Sequence, residues 1–288
     1  MSEAPGRVRR WVLAARPRTL PAALVPVVLG AGLVRPATIN WALSALCVIV
    51  ALALQIGTNY ANDYSDGQRG TDEQRVGPFR LTASRLVAAS QVRNAAWLCF
   101  GIAALAGVVL AARTSWWLVP VGASAVAAGW FYTGGPKPYG YYGFGELFVM
   151  VYFGFVATVG TSYVQHRHVM TNSWWWGLAA GAMACALLEA NNLRDVEGDR
   201  AARKKTLAAR LGRTRGTWLY LGFAVLVVVA LLGARAWLAA ALAVVAYLPG
   251  VRVAFSPRRG RELLVLLAMS ARAQLAVGAA SVVVFALR

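Results

Sequence analysis

The chain has 288 residues, of which 59% are hydrophobic and only 14% charged, and its formal net charge is +18. That composition excludes an ordinary soluble domain, in which about a quarter of the residues are charged. So basic a chain would suit a nucleic-acid partner, but the charge is distributed as membrane topology requires, and no nucleic-acid partner is expected.

Apolar runs of spanning length, roughly 17–25 residues, recur from end to end. In chain order they predict nine membrane helices, at about 19–35, 40–58, 92–112, 115–133, 144–165, 174–192, 216–234, 235–251 and 263–286. The basic N-terminus enters the first run without a small-residue cleavage pattern, so that span is expected to be retained. Spans seven and eight meet at Gly233-Ala234-Arg235, where a hairpin is expected. No soluble domain or low-complexity linker interrupts the series. Residues 1–288 therefore read as a single polytopic domain, an all-α membrane protein. It should be a bundle of nine transmembrane helices around a cytoplasm-facing, Asp-rich central cavity.

The basic residues orient the bundle. With the N-terminus inside, 23 Lys and Arg fall on inner segments, against five outside (Arg35, Arg113, Arg167, Arg235, Arg288) and Arg272 within the last span. This is a strong positive-inside bias. The expected location is the cell inner (plasma) membrane, with the acidic segments on the cytoplasmic side and the C-terminus outside.

Seven of the 11 acidic residues lie in two stretches at inner helix ends: Asp63, Asp66, Asp72 and Glu73, then Asp195, Glu197 and Asp199. Carboxylates beside hydrocarbon are costly and call for a reason. If span two stays helical to its inner end, Asn59, Asp63 and Asp66 follow an i, i+4, i+7 pattern on one face with Asn62 at its edge. Gly67 and Gly70 let the chain turn so that Asp72 folds back. Asn192, Asp195 and Asp199 form a second such face, with Asn191 adjacent. Clustered carboxylates and amide oxygens suit Mg²⁺, a hard cation commonly shared with substrate phosphates. Asn62, Asp66, Asp72, Asp195 and Asp199 are the candidate ligands. The alternative, helix caps and loop acids balancing nearby Arg, normally needs one such side chain per helix end.

Cations adjoin both clusters: Arg75 and Arg80 after the first, Arg203, Lys204 and Lys205 after the second. They can neutralise the outer oxygens of a diphosphate leaving group. Between spans four and five, the Gly/Pro-rich segment 132–146 carries Tyr132, Lys137 and Tyr139, whose rings and ammonium could wall a pocket. Aromatic faces there would suit an allylic cation, although interfacial aromatic belts are common. Trp116, Trp117 and Trp174 to Trp176 fall at outer span ends and read as such a belt. Cys47, Cys99 and Cys185 are isolated in apolar spans and read as core filler; His166 and His168 read as outer-loop residues.

At these residues the chain resembles the UbiA superfamily of intramembrane prenyltransferases, and within it the 1,4-dihydroxy-2-naphthoate polyprenyltransferase branch. The superfamily's two Asp-rich motifs are matched by Asn62-Asp63-x-x-Asp66…Asp72 and Asp195-x-x-x-Asp199. The branch is marked by Gly70-Thr71-Asp72…Arg75-Val76-Gly77-Pro78, Tyr132-Thr133-Gly134-Gly135-Pro136, Asn191-Asn192-Leu193-Arg194-Asp195 and the run from Thr206 to Gly212. The resemblance covers nearly the whole chain. One departure is visible: where the family reads Gly-Lys-x-Thr, this chain has Arg203-Lys204-Lys205-Thr206, so either lysine could meet the diphosphate.

The resemblance implies a Mg²⁺-dependent prenyl transfer. The substrates would be a polyprenyl diphosphate and 1,4-dihydroxy-2-naphthoate, with carboxylate loss giving demethylmenaquinone, and the lipid bilayer would receive the tail. It makes Asp63, Asp66, Asp72, Asp195 and Asp199 catalytic, and assigns substrate contact to Asn59, Asn62, Arg75, Arg80, Tyr132, Lys137, Tyr139, Asn191, Asn192, Lys204 and Lys205. Other acceptors within the superfamily, such as 4-hydroxybenzoate or homogentisate, are the main competitors. A CDP-alcohol phosphotransferase would need its acidic residues in one continuous stretch. A transporter would place them near the bilayer midplane.

Overall fold

The computed structural model describes residues 6–34, 36–70 and 79–287. Asp72 and Arg75 lie outside them. Every element among the described residues is helical.

The short amphipathic α1 (Arg7–Ala14) and a 3₁₀ turn at Pro17–Thr19 bend by 53° into α2 (Pro21–Gly32). Arg16, in the left-handed region at φ 54°, and the prolines that follow it stop the helix there. Asn40 starts α3 (Trp41–Gln68) by accepting the Leu43 backbone N–H at 3.1 Å. Then come α4 (Ala89–Arg113), α5 (Leu118–Phe131) and a 3₁₀ turn at Tyr139–Tyr142. The next span is composite: α6 (Gly145–Val149), a π-helical stretch at Met150–Val159 and α7 (Gly160–His166). The chain ends with α8 (Thr171–Ala201), α9 (Leu207–Gly233), α10 (Trp237–Ala254) and α11 (Leu264–Ala286).

Each predicted span coincides with one of these helices or composites. Six are long and apolar enough to cross a membrane, and the bent pair would be a seventh; α5, with 14 residues, is shorter. The break predicted near Arg235 is present, with that residue at φ 58° between α9 and α10. The helices also run past their apolar limits. α3 continues to Gln68 and α8 to Ala201, so Asn62, Asp63, Asp66, Asp195 and Asp199 are helical side chains rather than loop residues.

Large apolar side chains such as Leu98, Leu105 and Val245 point outward, as a lipid-facing surface requires. The interior is built from small residues. Ala179, Ala180, Gly181, Ala182, Ala184 and Ala186 of α8 are all buried, which lets neighbouring backbones approach. A Cβ on Gly154 would stand 2.7 Å from the Gly177 carbonyl oxygen and 2.8 Å from the Gly181 Cα. Only glycine permits the π-helical stretch to lie that close to α8.

The apolar core comprises a cluster uniting α8 to α11 with α2, another uniting α1, α3 and α4, and a smaller one joining α2, α3, α4 and α7. A cavity lies between the two larger clusters. At one end of the bundle the C-termini of α3 and α8 converge with the 132–144 loop. At the other, the Asn40 backbone N–H donates to Gln165 Oε1 (3.0 Å) and the Arg167 guanidinium donates to the Arg113 carbonyl (2.8 Å). The segments predicted to share an inner face and those predicted outside are thus separated as expected.

Candidate active site between two acidic helix ends

The cavity encloses about 630 Å³. Its polar end is lined by Asn59, Asn62 and Asp66 of α3, by Asn191, Asn192, Arg194 and Asp199 of α8, and by Arg16, Arg80, Tyr132, Tyr139, Tyr141, Lys204 and Thr206. Its other walls are apolar, with Val50, Leu54, Leu110, Leu118, Val121 and Val156 among them. Two helices more than a hundred residues apart in sequence therefore present their motifs to one volume.

Asp66 is the hub. Its carboxylate is only 2% exposed; Oδ1 accepts the Tyr141 hydroxyl at 2.6 Å and the Lys204 ammonium at 3.1 Å, and Oδ2 lies 3.6 Å from the Arg80 guanidinium. The Lys204 ammonium also sits 4.5 Å over the Tyr141 ring, and Arg69 packs 5.3 Å over the same ring. A buried carboxylate between two cations is stable only with such complete pairing. On the facing helix, Asp199 accepts the Thr206 hydroxyl at 3.2 Å, and its backbone carbonyl accepts the Lys204 N–H at 2.7 Å.

The other acids are engaged differently. Asp63 accepts the backbone N–H groups of Leu81 (2.8 Å) and Thr82 (2.9 Å), one on each oxygen. It does not line the cavity; it anchors the segment carrying Arg80. The α3 face toward the cavity is therefore Asn59, Asn62 and Asp66, with Asp63 turned to the loop whose amides need an acceptor. Asp195 forms a bidentate pair with Arg194, at 2.7 and 2.6 Å. Its carboxylate holds the guanidinium that borders the cavity.

The amides are oriented by their partners. Asn59 donates to the Ala15 carbonyl (2.9 Å), and Asn62 Oδ1 accepts the Thr133 hydroxyl (2.8 Å). Asn191 Oδ1 accepts from Arg194 (2.7 Å), and Asn192 donates to Glu146 Oε1 (2.9 Å). Tyr139 donates to the Ala128 carbonyl (2.9 Å) and stacks on Phe148 at 3.9 Å, with Tyr132 edge-on at 5.4 Å. Burial pushes the Tyr139 phenol well above its ordinary range, so the ring stays neutral.

Lys137 and Lys205 are exposed and do not line the cavity. Lys205 contributes its backbone instead, donating to the Tyr141 carbonyl at 2.7 Å. The structure thus separates the two lysines that sequence alone left open. Arg203 has φ 56°, the left-handed conformation that favours glycine.

Sequence reasoning missed the cavity-lining roles of Arg16, Thr133, Tyr141, Arg194 and Thr206. Arg194 lies inside the second motif and Tyr141 inside the aromatic loop, so position was a signal. Which ring would reach Asp66 was not.

The donor set fits a hard divalent cation: carboxylates of Asp66 and Asp199 and amides of Asn62 and Asn192, all from one cavity. Among the described residues no three His, Cys, Asp or Glu side chains gather as a closed metal site. The donors are two separated arms rather than a cage. Arg16, Arg18, Arg80, Arg194 and Lys204 line the cavity against two carboxylates, an excess of positive charge suited to a polyanion.

Residues 23–284 match the UbiA prenyltransferase family. The chain is 52% identical over 219 residues to the 1,4-dihydroxy-2-naphthoate octaprenyltransferase of Mycobacterium tuberculosis, covering 74% of this chain and 73% of that protein. It is 44% identical over 268 residues to the enzyme of the same name from Mycobacterium leprae, covering 88% of each. Its fold is similar to that of a UbiA homolog from Archaeoglobus fulgidus bound to DMAPP and Mg²⁺. The TM-score is 0.65 at 13% identity, over 94% of this chain and 99% of that one. The chain is a multi-pass membrane protein and belongs to the UbiA prenyltransferase family.

Proposed function

We propose that this protein transfers a polyprenyl group from a polyprenyl diphosphate to 1,4-dihydroxy-2-naphthoate, with Mg²⁺ as cofactor. The observation that carries this reading is the single cavity with a charged end, built from both acidic motifs, and apolar walls beyond it. A diphosphate belongs at the first and an isoprenoid tail along the second. The relatives at 52% and 44% identity supply the acceptor class.

Asp66, Asp199, Asn62 and Asn192, with Asp72 and Asp195 as further candidates, would hold Mg²⁺, which would supply Lewis-acid stabilisation of the departing diphosphate. Lys204 and Arg194 neutralise the remaining diphosphate oxygens. The prenyl C1–O bond breaks, and the allylic carbon bonds to the ring carbon bearing the carboxylate. CO₂ leaves, and its bonding pair restores the aromatic ring, giving the demethylmenaquinone skeleton in its quinol form. Tyr132, Tyr139 and Phe148 present neutral ring faces to the transient cation, and the apolar walls keep water from quenching it.

The bundle is proposed to comprise nine transmembrane helices in the cell inner membrane, with the acidic end in the cytoplasm. Cysteines introduced at the exposed positions Gln68 and Ala201 are expected to resist an impermeant thiol reagent added to intact cells and to label after lysis. Labelling from outside would overturn the topology.

The acceptor carboxylate needs a cation beside the ring. Arg75 lies outside the described residues and Lys137 is exposed, whereas Arg80 borders the cavity beside Asp66. Arg80→Leu is expected to raise KM for the naphthoate more than KM for the prenyl diphosphate, because it removes an acceptor contact rather than a metal ligand. Equal losses would reassign Arg80 to the diphosphate. The reading itself is tested by supplying membranes with labelled prenyl diphosphate and each aromatic acid in turn. Preferential turnover of 4-hydroxybenzoate or homogentisate would replace the naphthoate as acceptor.

A further inference from the structure

Two carboxyl groups that belong to neither acidic motif are buried beside the cavity. Glu146, in the first turn of α6, is 6% exposed, and Glu189 of α8 is fully buried. The two carboxyl groups are close enough to interact, but no hydrogen bond joins them, and both Glu189 oxygens are buried without a hydrogen-bond partner among the described residues. Neither forms an ion pair with a described cation. The fold makes room for them: a Cβ on Gly216 would stand 2.9 Å from Glu189 Oε1. Cys185 donates its thiol to the Glu146 backbone carbonyl at 3.2 Å, pinning the start of α6 to α8. Ionisable groups at such a depth are costly, and a chain that keeps two of them there calls for a functional reason.

That reason is visible at Asn192. Its Nδ2 donates to Glu146 Oε1 at 2.9 Å, and a carboxyl oxygen that only accepts fixes which end of the amide faces it. With the nitrogen held, Oδ1 is the atom left for the cavity, which Asn192 lines. Its neighbour is held the other way round, because Asn191 Oδ1 accepts from Arg194. Adjacent amides thus offer opposite chemistry: a donor at Asn191 and an acceptor at Asn192. An acceptor oxygen facing a cavity rich in cations is useful where a cation accompanies the diphosphate.

We propose that Glu146, backed by Glu189, is a positioning residue for the prenyl diphosphate site, orienting Asn192 so that its amide oxygen faces the bound cation and diphosphate. This rests on the diphosphate reading of the cavity given above. It requires a hydrogen-bond acceptor at position 146, not a charge.

The test combines Glu146→Leu, Glu146→Gln, Asn192→Ala and the double variant Glu146→Leu/Asn192→Ala in the full-length protein. For each, the Kd of geranyl diphosphate with Mg²⁺ is measured by calorimetry in detergent, together with KM, kcat and melting temperature. Loss of the hydrogen bond that orients the amide predicts about a tenfold weaker Kd and higher KM for the diphosphate in Glu146→Leu, with KM for the acceptor little moved. Glu146→Gln retains an acceptor oxygen and should restore binding. The double variant should bind no worse than Asn192→Ala alone, since both changes remove the same contact. Multiplying losses in the double variant, or a Glu146→Leu protein that melts earlier yet binds normally, would overturn the proposal. So would normal diphosphate binding by Asn192→Ala. In that last case the diphosphate reading survives provided Asp66→Ala still abolishes turnover; an active Asp66→Ala protein would instead bring down the reading itself.

Discussion

Alanine at Asp66 or at Asp199 is expected to lower kcat about 100-fold or more, the scale at which positioned electrostatic groups act in transition states. Among the described residues each carboxylate is the one acid of its own helix that lines the cavity: Asp63 is engaged by two backbone amides and Asp195 by Arg194. Asp66 carries an added burden. Removing it leaves the Lys204 ammonium and the Arg80 guanidinium, 6% and 8% exposed, without their shared counter-charge. Asp66→Asn, which keeps the volume and the acceptor for Tyr141, separates lost chemistry from lost folding. Turnover should be measured with saturating prenyl diphosphate in membranes matched for expression. Near wild-type rates in both alanine variants would sink the two-arm site.

The second large effect belongs to Lys204. Lys204→Met should reduce kcat/KM for the prenyl diphosphate by about 100-fold, because a buried ammonium directed at the diphosphate end is lost in a low-dielectric site. Lys205→Met should have a far smaller effect, since that side chain is exposed and only its backbone N–H, which methionine keeps, is used. Comparable losses in the two variants would mean that the 203–206 turn rearranges when substrate binds.

The fold was readable because its signals are long and redundant. Nine apolar runs, a one-sided charge distribution and two acidic clusters agree with one another, and the helices fall where the runs predict. The site was readable in outline for a similar reason: Asp, Asn and basic residues at helical spacing have few uses at a membrane face. Its details were not legible. Helical periodicity places Asp63 and Asp66 on one broad face, but the amides at Leu81 and Thr82 draw Asp63 to the loop. Spacing cannot report that competition, because it depends on a segment 18 residues away. Glu146 escaped notice because a single acid at the start of a span looks like a helix-end charge. Only the hydrogen bond from Asn192 reveals its place.

Among the described residues, the five non-glycine residues with positive φ are all arginines: Arg16, Arg85, Arg167, Arg203 and Arg235. Four of them lie one or two residues past a helix end, at α1, α7, α8 and α9. A β-carbon in that conformation costs about 1–2 kcal/mol relative to glycine, and a cation near a helix C-terminus returns roughly 0.3–1 kcal/mol. The balance favours glycine on local grounds, so the side chain must matter beyond the turn. At Arg16 and Arg203, which the charge distribution assigns to the inner side, the residue that ends a helix also adds to the bias expected to orient the bundle. A glycine at either would relax the backbone while removing one charge from that bias. Loop arginines elsewhere can migrate by a residue or two without harm, but these are tied to fixed points of the backbone.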